Sequence, residues 1–239
     1  TCVELQLQGF PIDVATQRAK GRRKGLLVAD MDSTMVIGET LDELADFADC
    51  KDQVADITIR AMRGEIGFKD ALRERVGLLE GLSEDSLEKT YADIKLMPGG
   101  KTLLATMKAH GAKSMLVSGG FDFCTERVAR RLGFHENKGN RLEIIDGKLT
   151  GQVIDPIVNK DVKLEVLQGL CKENGLTIEQ SLSVGDGAND LPMLMAAGLG
   201  VAYHAKPVVT AHAHVGIEYS DLTALLYLQG YRAEEFVTA

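Results

Sequence analysis

The sequence predicts an α/β protein with a Rossmann-like open parallel sheet, helices on both faces, and a small all-helical cap inserted after the first strand. Three observations predict this fold class. Four short apolar segments end in Gly, Asp or Ser, helical patterns separate them, and one long stretch contains helical patterns alone. Strands that alternate with helices form βαβ units, which build a parallel sheet covered on both faces.

The first element is the apolar segment GLLVAD at 25–30, and three similar segments follow it. They are KSMLVSGG at 113–120, SLSVGDG at 181–187 and GLGVAY at 198–203. Each is a short apolar run bounded by turn-forming residues, which is typical of a buried strand. Between them, KTLLATMKAHG and DVKLEVLQGLCKENG carry apolar residues at helical spacing and stop at Gly111 and Gly175.

Two segments depart from this alternation. Residues 38–97 hold several helical patterns and are too long for a loop, so we interpret them as a cap that opens on hinges near Gly38 and 97–100. RLEIIDGKLTGQVI places two alternating segments around Asp146-Gly147, which predicts a β-hairpin. The predicted organisation is an N-terminal remnant or linker at 1–24, a core at 25–37 and 98–239, and the helical cap at 38–97.

The composition bounds the class of protein. With 239 residues, of which 45% are hydrophobic, the chain can bury a sizeable core. Its net charge of -8 argues against nucleic-acid and anionic-membrane partners, because phosphate-binding surfaces carry an excess of Lys and Arg. No apolar run approaches the roughly 18 residues of a membrane span. Cys2, Cys50, Cys124 and Cys171 lack CxxC or zinc-type spacing, so we expect reduced thiols in a cytoplasmic protein.

Polar side chains follow three of the predicted strands at the point where each strand ends. They are Asp30 and Asp32, Ser118 with Gly119 and Gly120, and Asp186 with Asn189 and Asp190. In an open parallel sheet, ligands bind beyond the carboxyl ends of the strands, so we expect one shared crevice. Clustered carboxylates repel each other unless a cation offsets them. Oxygen ligands without a nearby His or Cys favour Mg²⁺.

Four stretches match a known family in order and spacing. DMDSTMVIGE, VSGGF, Lys160 and GDGANDLPML resemble the motifs of the haloacid dehalogenase superfamily of phosphatases, from about Lys24 to about Tyr203. Within that superfamily they are most similar to the members that hydrolyse O-phospho-L-serine. The resemblance implies Mg²⁺-dependent hydrolysis of this small molecule through a phosphoaspartate intermediate, the last step of serine biosynthesis.

The carboxylates suit that chemistry. Asp30 is the expected nucleophile, because a carboxylate that attacks phosphorus forms an acyl phosphate that water can remove. Asp32 is expected to protonate the leaving oxygen and then to deprotonate the hydrolytic water. The resemblance implies that Asp30, the backbone carbonyl of Asp32, and Asp186 hold Mg²⁺, with Asp190 as a supporting carboxylate.

The transferred phosphoryl group needs hydrogen-bond donors that are fixed before the reaction. Ser118, Gly119 and Lys160 are the expected donors, and Asn189 is expected to bind substrate beside them. A lone lysine is usually a solvated surface charge, so the role of Lys160 rests on its place in the family order alone.

Phosphoserine also presents an ammonium and a carboxylate, so a selective site needs one acid and one base outside the phosphoryl pocket. The resemblance places Glu39 at the ammonium and Arg75, which suits a bidentate grip, at the carboxylate. Met62 and Phe68 stand where the family has apolar cap residues that cover the substrate. Without the resemblance, Arg75 would be an ordinary charge on a helix surface.

Two other functions fit the same residues. One is another small-molecule phosphatase or phosphotransferase of the superfamily, for example one that acts on phosphohomoserine, because the phosphoryl site is shared. The other is a non-enzymatic phospho-accepting module of the response-regulator kind. Asp32 argues against such a module, since a general base beside the acyl phosphate would shorten its lifetime. The oligomeric state stays open, with a homodimer among the alternatives.

Overall fold

The computed structural model describes residues 10–238, so Cys2 lies outside the described residues. The strands are β1 (Leu26–Ala29), β2 (Lys113–Phe121), β3 (Glu136–Ile145), β4 (Lys148–Ile154), β5 (Ser181–Gly185), β6 (Leu199–Tyr203) and β7 (Val215–Ile217). They form one sheet in the order β4-β3-β2-β1-β5-β6-β7. All neighbouring strands pair in parallel except β3 and β4. This is the predicted α/β class with a Rossmann-like open sheet.

The helices fall into a cap group and a core group. In the first are α1 (Thr40–Phe47), α2 (Lys51–Met62), α3 (Phe68–Gly77) and α4 (Asp85–Asp93). In the second are α5 (Gly100–Ala109), α6 (Asp122–Leu132), α7 (Lys160–Glu173), α8 (Leu191–Ala196), α9 (Pro207–Thr210) and α10 (Ala224–Leu228). Two 3-10 turns lie at Ile178–Gln180 and Ala233–Glu235.

Strand β1 lies at the centre of the sheet, and all four of its residues are fully buried. Leu27 and Ala29 belong to a hydrophobic cluster with residues of α5, α6 and α10. Leu26 and Val28 belong to a second cluster with residues of α7 and α8. This alternation is what a strand covered on both faces requires.

Three neighbouring strands end at the same edge of the sheet. Ala29 is in register with Leu116 on β2 and with Val184 on β5. Because all three strands run in parallel, the residues that follow them emerge side by side. The sheet therefore brings the polar strand ends into one crevice, as the sequence predicts.

The cap group is anchored to the β3–β4 hairpin as well as to the core. Leu44 and Leu72 of the cap share a hydrophobic cluster with Leu149 of β4. The Gly81 amide donates to the Leu149 carbonyl at 2.8 Å, and the Leu149 amide donates to the Leu82 carbonyl at 2.9 Å. One end of the cap is thus bonded to the hairpin through its backbone.

The predicted hairpin is confirmed, because β3 and β4 pair antiparallel across Asp146 and Gly147, which have φ values of 51° and 72°. Strand β3 begins earlier than the predicted hairpin segment, at Glu136, because its first half pairs in parallel with β2. No helix within residues 10–238 has the length and apolar character needed to cross a bilayer.

Candidate active site

A cavity of about 440 Å³ opens where the cap faces the carboxyl ends of β1, β2 and β5. Predicted site residues from the core and from the cap line it. They are Asp30, Asp32, Glu39, Met62, Phe68, Arg75, Ser118, Gly119, Asp186 and Asn189. Asp190 lies beneath the cavity and is fully buried. Of the predicted site residues, only Lys160 lies elsewhere.

The floor of the cavity is a buried ion network around Lys163. The Lys163 Nζ atom lies 2.8 Å from Asp30 Oδ1 and 2.6 Å from Asp190 Oδ1, and the residue is 1% exposed. Burial acts to lower the pKa of Lys163, but the Asp190 and Asp30 carboxylates outweigh it and raise that pKa above its ordinary value. The ammonium therefore stays charged at the base of the site.

The structure corrects the prediction for Lys160. Lys160 is the first residue of α7, directly after Asn159, whose side chain caps the helix, and it is exposed to solvent. Lys163 lies almost one turn further along the same helix. There the side chain is buried and reaches Asp30, whereas Lys160, at the first residue of the helix, stays in solvent.

Three carboxylates at the floor can hold a metal ion. Asp30, Asp186 and Asp190 each offer an oxygen within 4.8 Å of the others. Burial raises the pKa of Asp186 to about 6, and the Asp30 carboxylate adds to the rise while Lys163 opposes it. One ammonium among three carboxylates leaves an excess of negative charge, which a hard cation with oxygen ligands would offset.

The three carboxylates differ in how far the protein already engages them. Asp190 Oδ1 accepts from Lys163, and its Oδ2 accepts from the Gly187 amide at 3.0 Å. Among residues 10–238, Asp186 Oδ1 accepts only a long hydrogen bond, 3.3 Å, from the Thr34 hydroxyl. Asp186 therefore has the freer oxygens for a ligand, and Asp190 supports the cluster from below.

The protein holds both carboxylate oxygens of Asp32. Oδ1 accepts from the Thr40 amide at 3.0 Å, and Oδ2 accepts from the Ser118 hydroxyl at 3.2 Å. Burial raises the pKa of Asp32 to about 7; the Glu39 and Asp30 carboxylates add to the rise, and the Thr40 amide opposes it. A carboxyl group with a pKa near neutrality can both donate and accept a proton.

The irregular end of β2, at Ser118–Gly120, lies so close to Asp32 that a side chain at Gly120 would not fit. The Gly120 amide donates to Ser118 Oγ at 2.8 Å. A Cβ atom at Gly120 would lie 2.7 Å from Asp32 Oδ2, and one at Gly119 would lie 3.4 Å from the Phe68 ring. The missing side chain at Gly120 lets the backbone approach Asp32, whereas the contact between Gly119 and Phe68 is an ordinary one.

Charged residues of both signs line the cavity from the cap side, namely Glu39, Asp42 and Arg75. Glu39 Oε1 accepts from the Ser33 hydroxyl at 2.8 Å. Although Glu39 is open to the cavity, desolvation by the surrounding protein raises its pKa. Arg75 is half-buried, and its Nε and Nη1 atoms donate only to the Ala71 carbonyl and the Thr58 hydroxyl. Arg75 has no ion-pair partner within the part of the chain that the structure describes, so its charge is available to a ligand.

The remaining predicted residues complete the wall. Met62 at the end of α2 and Phe68 at the start of α3 are 67% and 38% exposed, and both face the cavity. Apolar side chains left open at a cavity are suited to covering a ligand. Asn189 follows β5 and packs so closely on Gly187 that a Cβ atom there would collide with its Oδ1 atom.

Three residues of the site escaped the sequence analysis. The signal for Lys163 is its place on the buried stripe of α7, which it shares with Leu167 and Leu170. Thr40 lines the cavity and is 3% exposed, and its hydroxyl is one of two buried side-chain groups without a hydrogen-bond partner among the described residues. Lys206 follows β6 and adds a positive charge that lowers the pKa of Asp186. A polar residue following a strand is too common to single out Lys206.

Comparisons with known proteins agree on one family. The family model for haloacid dehalogenase-like hydrolases matches residues 27–195 of this chain. The phosphoserine phosphatase of Streptococcus thermophilus is 48% identical over 199 residues, which are 83% of this chain and 93% of that protein. The phosphoserine phosphatase of Streptomyces coelicolor is 40% identical over 241 residues. This chain is covered in full by that match but spans only 59% of the Streptomyces protein.

Solved structures lead to the same group of proteins. A substrate-bound phosphoserine phosphatase complex is similar with a TM-score of 0.80 at 38% identity, covering 86% of this chain and 98% of that one. An unliganded probable phosphoserine phosphatase from Vibrio cholerae is similar with a TM-score of 0.85 at 37% identity, covering 95% of this chain and 71% of that one.

Proposed function

Because the chain belongs to the haloacid dehalogenase-like hydrolase family, we propose that it is a cytoplasmic phosphoserine phosphatase. It hydrolyses O-phospho-L-serine to L-serine and phosphate with Mg²⁺, as the last step of serine biosynthesis. The observation that carries the substrate assignment is the pair of Arg75 and Glu39 on the cap side of a phosphoryl site. The steps below assign the chemistry to residues of this chain.

Asp30 is the nucleophile. Its Oδ1 atom is engaged by Lys163 and by the Met31 amide, which donates at 2.8 Å. These two contacts fix the carboxylate, so the second oxygen can attack phosphorus in line with the leaving serine oxygen. The product of that step is a phosphoaspartate on Asp30 and an alcohol.

Asp32 transfers the proton in both half-reactions. In the first, it donates a proton to the leaving serine oxygen. In the second, it takes a proton from the water that attacks the phosphoaspartate. The pKa of about 7 suits both tasks, because neither protonation state is costly near neutral pH.

Positive charge and amides bind the phosphoryl group. Ser118, the Gly119 amide and Asn189 line the cavity beside Asp30, and Lys163 lies under it. Asp30, the Asp32 carbonyl and Asp186 would hold Mg²⁺, which supplies charge stabilisation at the phosphoryl oxygens. The all-oxygen donor set and the excess negative charge support this metal.

The cap side recognises the amino-acid head of the substrate. Arg75 would pair with the substrate carboxylate, and Glu39 with its ammonium. A half-buried guanidinium without a carboxylate partner in the described chain is costly unless a ligand supplies one. Met62 and Phe68 would exclude water from the bound substrate.

The test compares two substrates on Arg75→Ala and Glu39→Gln. Each change removes one charge partner of the head group and leaves the side chains of the phosphoryl site in place; because Glu39 also raises the pKa of Asp32, turnover is compared at the optimal pH of each variant. The loss in kcat/KM for phosphoserine should correspond to about 2–4 kcal/mol, roughly thirty-fold to nearly a thousand-fold. Turnover of p-nitrophenyl phosphate, which has no amino-acid head, should change little.

Arg73→Ala is the matched control. Arg73 lies two residues away on the same helix, is exposed, and pairs with Asp155 at 3.2 Å. We expect it to leave both substrates within about twofold of the unmodified protein. Equal losses on both substrates at Arg75 would mean that Arg75 only supports the cap, and the substrate assignment would then be wrong.

A further inference from the structure

Asn140 on β3 is a buried polar residue outside the cavity that contacts two backbone segments of the site, one at Gly119 and one at Val158. Its relative exposure is 0%. Asn140 Nδ2 donates to the Gly119 carbonyl at 2.7 Å, and Asn140 Oδ1 accepts from the Val158 amide at 2.7 Å. Both hydrogen bonds are short, and together they use both ends of the carboxamide.

The first hydrogen bond connects Asn140 to Asp32 through three atoms of Ser118–Gly120, the irregular end of β2, which we call the phosphoryl loop. The hydrogen bond from Asn140 holds the Gly119 carbonyl. Because a peptide unit is rigid, this contact also fixes the orientation of the peptide plane between Gly119 and Gly120. The amide on the other side of the plane, Gly120 N, donates to Ser118 Oγ at 2.8 Å. Ser118 Oγ in turn donates to Asp32 Oδ2 at 3.2 Å. The direction of the Ser118 hydroxyl therefore depends on the orientation of this peptide.

The second hydrogen bond leads to Lys163. Val158 directly precedes Asn159, whose side-chain oxygen accepts from the amides of Asp161 and Val162 at 3.1 and 3.0 Å. This cap fixes where α7 begins, and Lys163 lies in its first turns. Asn140 thus connects the start of α7, which carries Lys163, to the phosphoryl loop, which carries Ser118.

We propose that Asn140 is a positioning residue for phosphoryl transfer: its carboxamide sets the orientation of the Ser118–Gly120 loop and the start of α7 relative to each other. The proposal rests on the proposed function only in that both use the same phosphoryl site. An apolar residue at 140 would fill the space but leave the Gly119 carbonyl and the Val158 amide without partners.

The test is Asn140→Leu, which has a similar volume and cannot form either hydrogen bond. We expect kcat to fall by about 10–100-fold, because small displacements of positioned groups cost factors of this size. We expect KM to change less than about threefold, since the groups act mainly on the transition state. Asn137→Leu on the same strand is the control. The Asn137 oxygen accepts from the Thr125 hydroxyl at 2.9 Å, away from the site, so kcat should stay within about twofold.

A double-mutant cycle with Ser118→Ala separates positioning from general damage to the fold. Because Asn140 also holds the start of α7, Asn140→Leu should keep part of its effect in the Ser118→Ala background but lower kcat there by a smaller factor than in the unmodified protein. Urea midpoints establish that every variant is folded under the assay conditions. If Asn140→Leu does not fold, Asn140→Ser replaces it under the same criteria.

Two results would overturn the proposal: a kcat for the Asn140 variant within about twofold of the unmodified protein, or the same fold loss with and without Ser118. Every comparison is made on phosphoserine and on p-nitrophenyl phosphate. If the unmodified protein turns over only the second substrate, the proposed function fails, whereas the role of Asn140 is still decided on that substrate.

Discussion

Replacing Lys163 by Met should cost this protein both stability and activity. The change removes an ammonium that contacts Asp30 at 2.8 Å and Asp190 at 2.6 Å, in a place where the lysine is 1% exposed. Methionine has a similar shape, so the main effect is the loss of charge. Asp30 and Asp190 then remain buried without their cation.

The stability effect follows from the burial of both partners. Removing one member of a buried ion pair leaves an uncompensated charge, which lowers the free energy of unfolding by about 3–5 kcal/mol. Because Mg²⁺ would also offset the carboxylates, we expect a smaller loss when Mg²⁺ is added. Urea denaturation with and without Mg²⁺ measures both values.

The activity effect follows from the place of Lys163 at the nucleophile. Removing a fixed donor from a charge-developing site lowers kcat by about 10²–10³-fold. In Lys163→Met, kcat for phosphoserine should therefore fall by at least this factor. It is measured as released phosphate, without urea and at a temperature where the variant is folded.

Lys160→Met is the matched control, since both lysines lie in the first turns of α7 and Lys160 is exposed. A surface substitution of this kind changes the unfolding free energy by less than about 0.5 kcal/mol, and kcat should not change. The opposite pattern, with Lys160→Met inactive and Lys163→Met active, would refute the assignment of Lys163.

Three further predictions concern the reaction and the cap. Asp30→Asn should abolish the acid-stable phosphoenzyme, whereas Asp32→Asn should still form some of it with little turnover; normal turnover of Asp32→Asn would contradict its role. Chelation should remove activity, and Mg²⁺ should restore it while Ca²⁺ should not, because the longer and looser coordination of Ca²⁺ disturbs the in-line geometry; full activity after rigorous chelation would exclude the metal. A disulfide between Ser83→Cys and Lys148→Cys, which replace a backbone-bridged pair, should leave turnover within about twofold, and loss of activity reversed by reduction would mean that this end of the cap must move.

The sheet could be predicted from the sequence because its signals are local. Each core strand is a short apolar run, and register follows once the strands are parallel and buried. The division of β3 into a half that pairs with β2 and a half that pairs with β4 could not be predicted in this way. Residues 136–139 of this strand alternate between exposed and half-buried positions, Asn140 is buried, and the segment joins the sheet only through tertiary pairing with β2.

The site could be predicted where motif and strand end coincide, as at Asp30 and Ser118. It could not be predicted at the lysine, because Lys160 and Lys163 both fit the order of motifs and both stand at helical spacing from Leu167. What separates them is the start of the helix: Lys160 is its exposed first residue, whereas Lys163 is buried. A buried lysine requires charged partners, and only the fold supplies them to Lys163, from Asp30 and Asp190.

Strand β3 connects the phosphoryl loop to the cap. The first half of β3 pairs in parallel with β2 and ends at Asn140, which lies opposite Phe121 of β2. The second half of β3 pairs with β4. Leu149 of β4 is bonded to the cap backbone at Gly81 and Leu82. Because packed elements transmit displacement, a rigid rotation of the whole cap would strain the strand that holds the Gly119 carbonyl. Opening is less costly at α2, which buries only two of its residues and carries Met62 at its end. The anchored end of the cap can therefore preserve the phosphoryl loop while α2 admits the substrate.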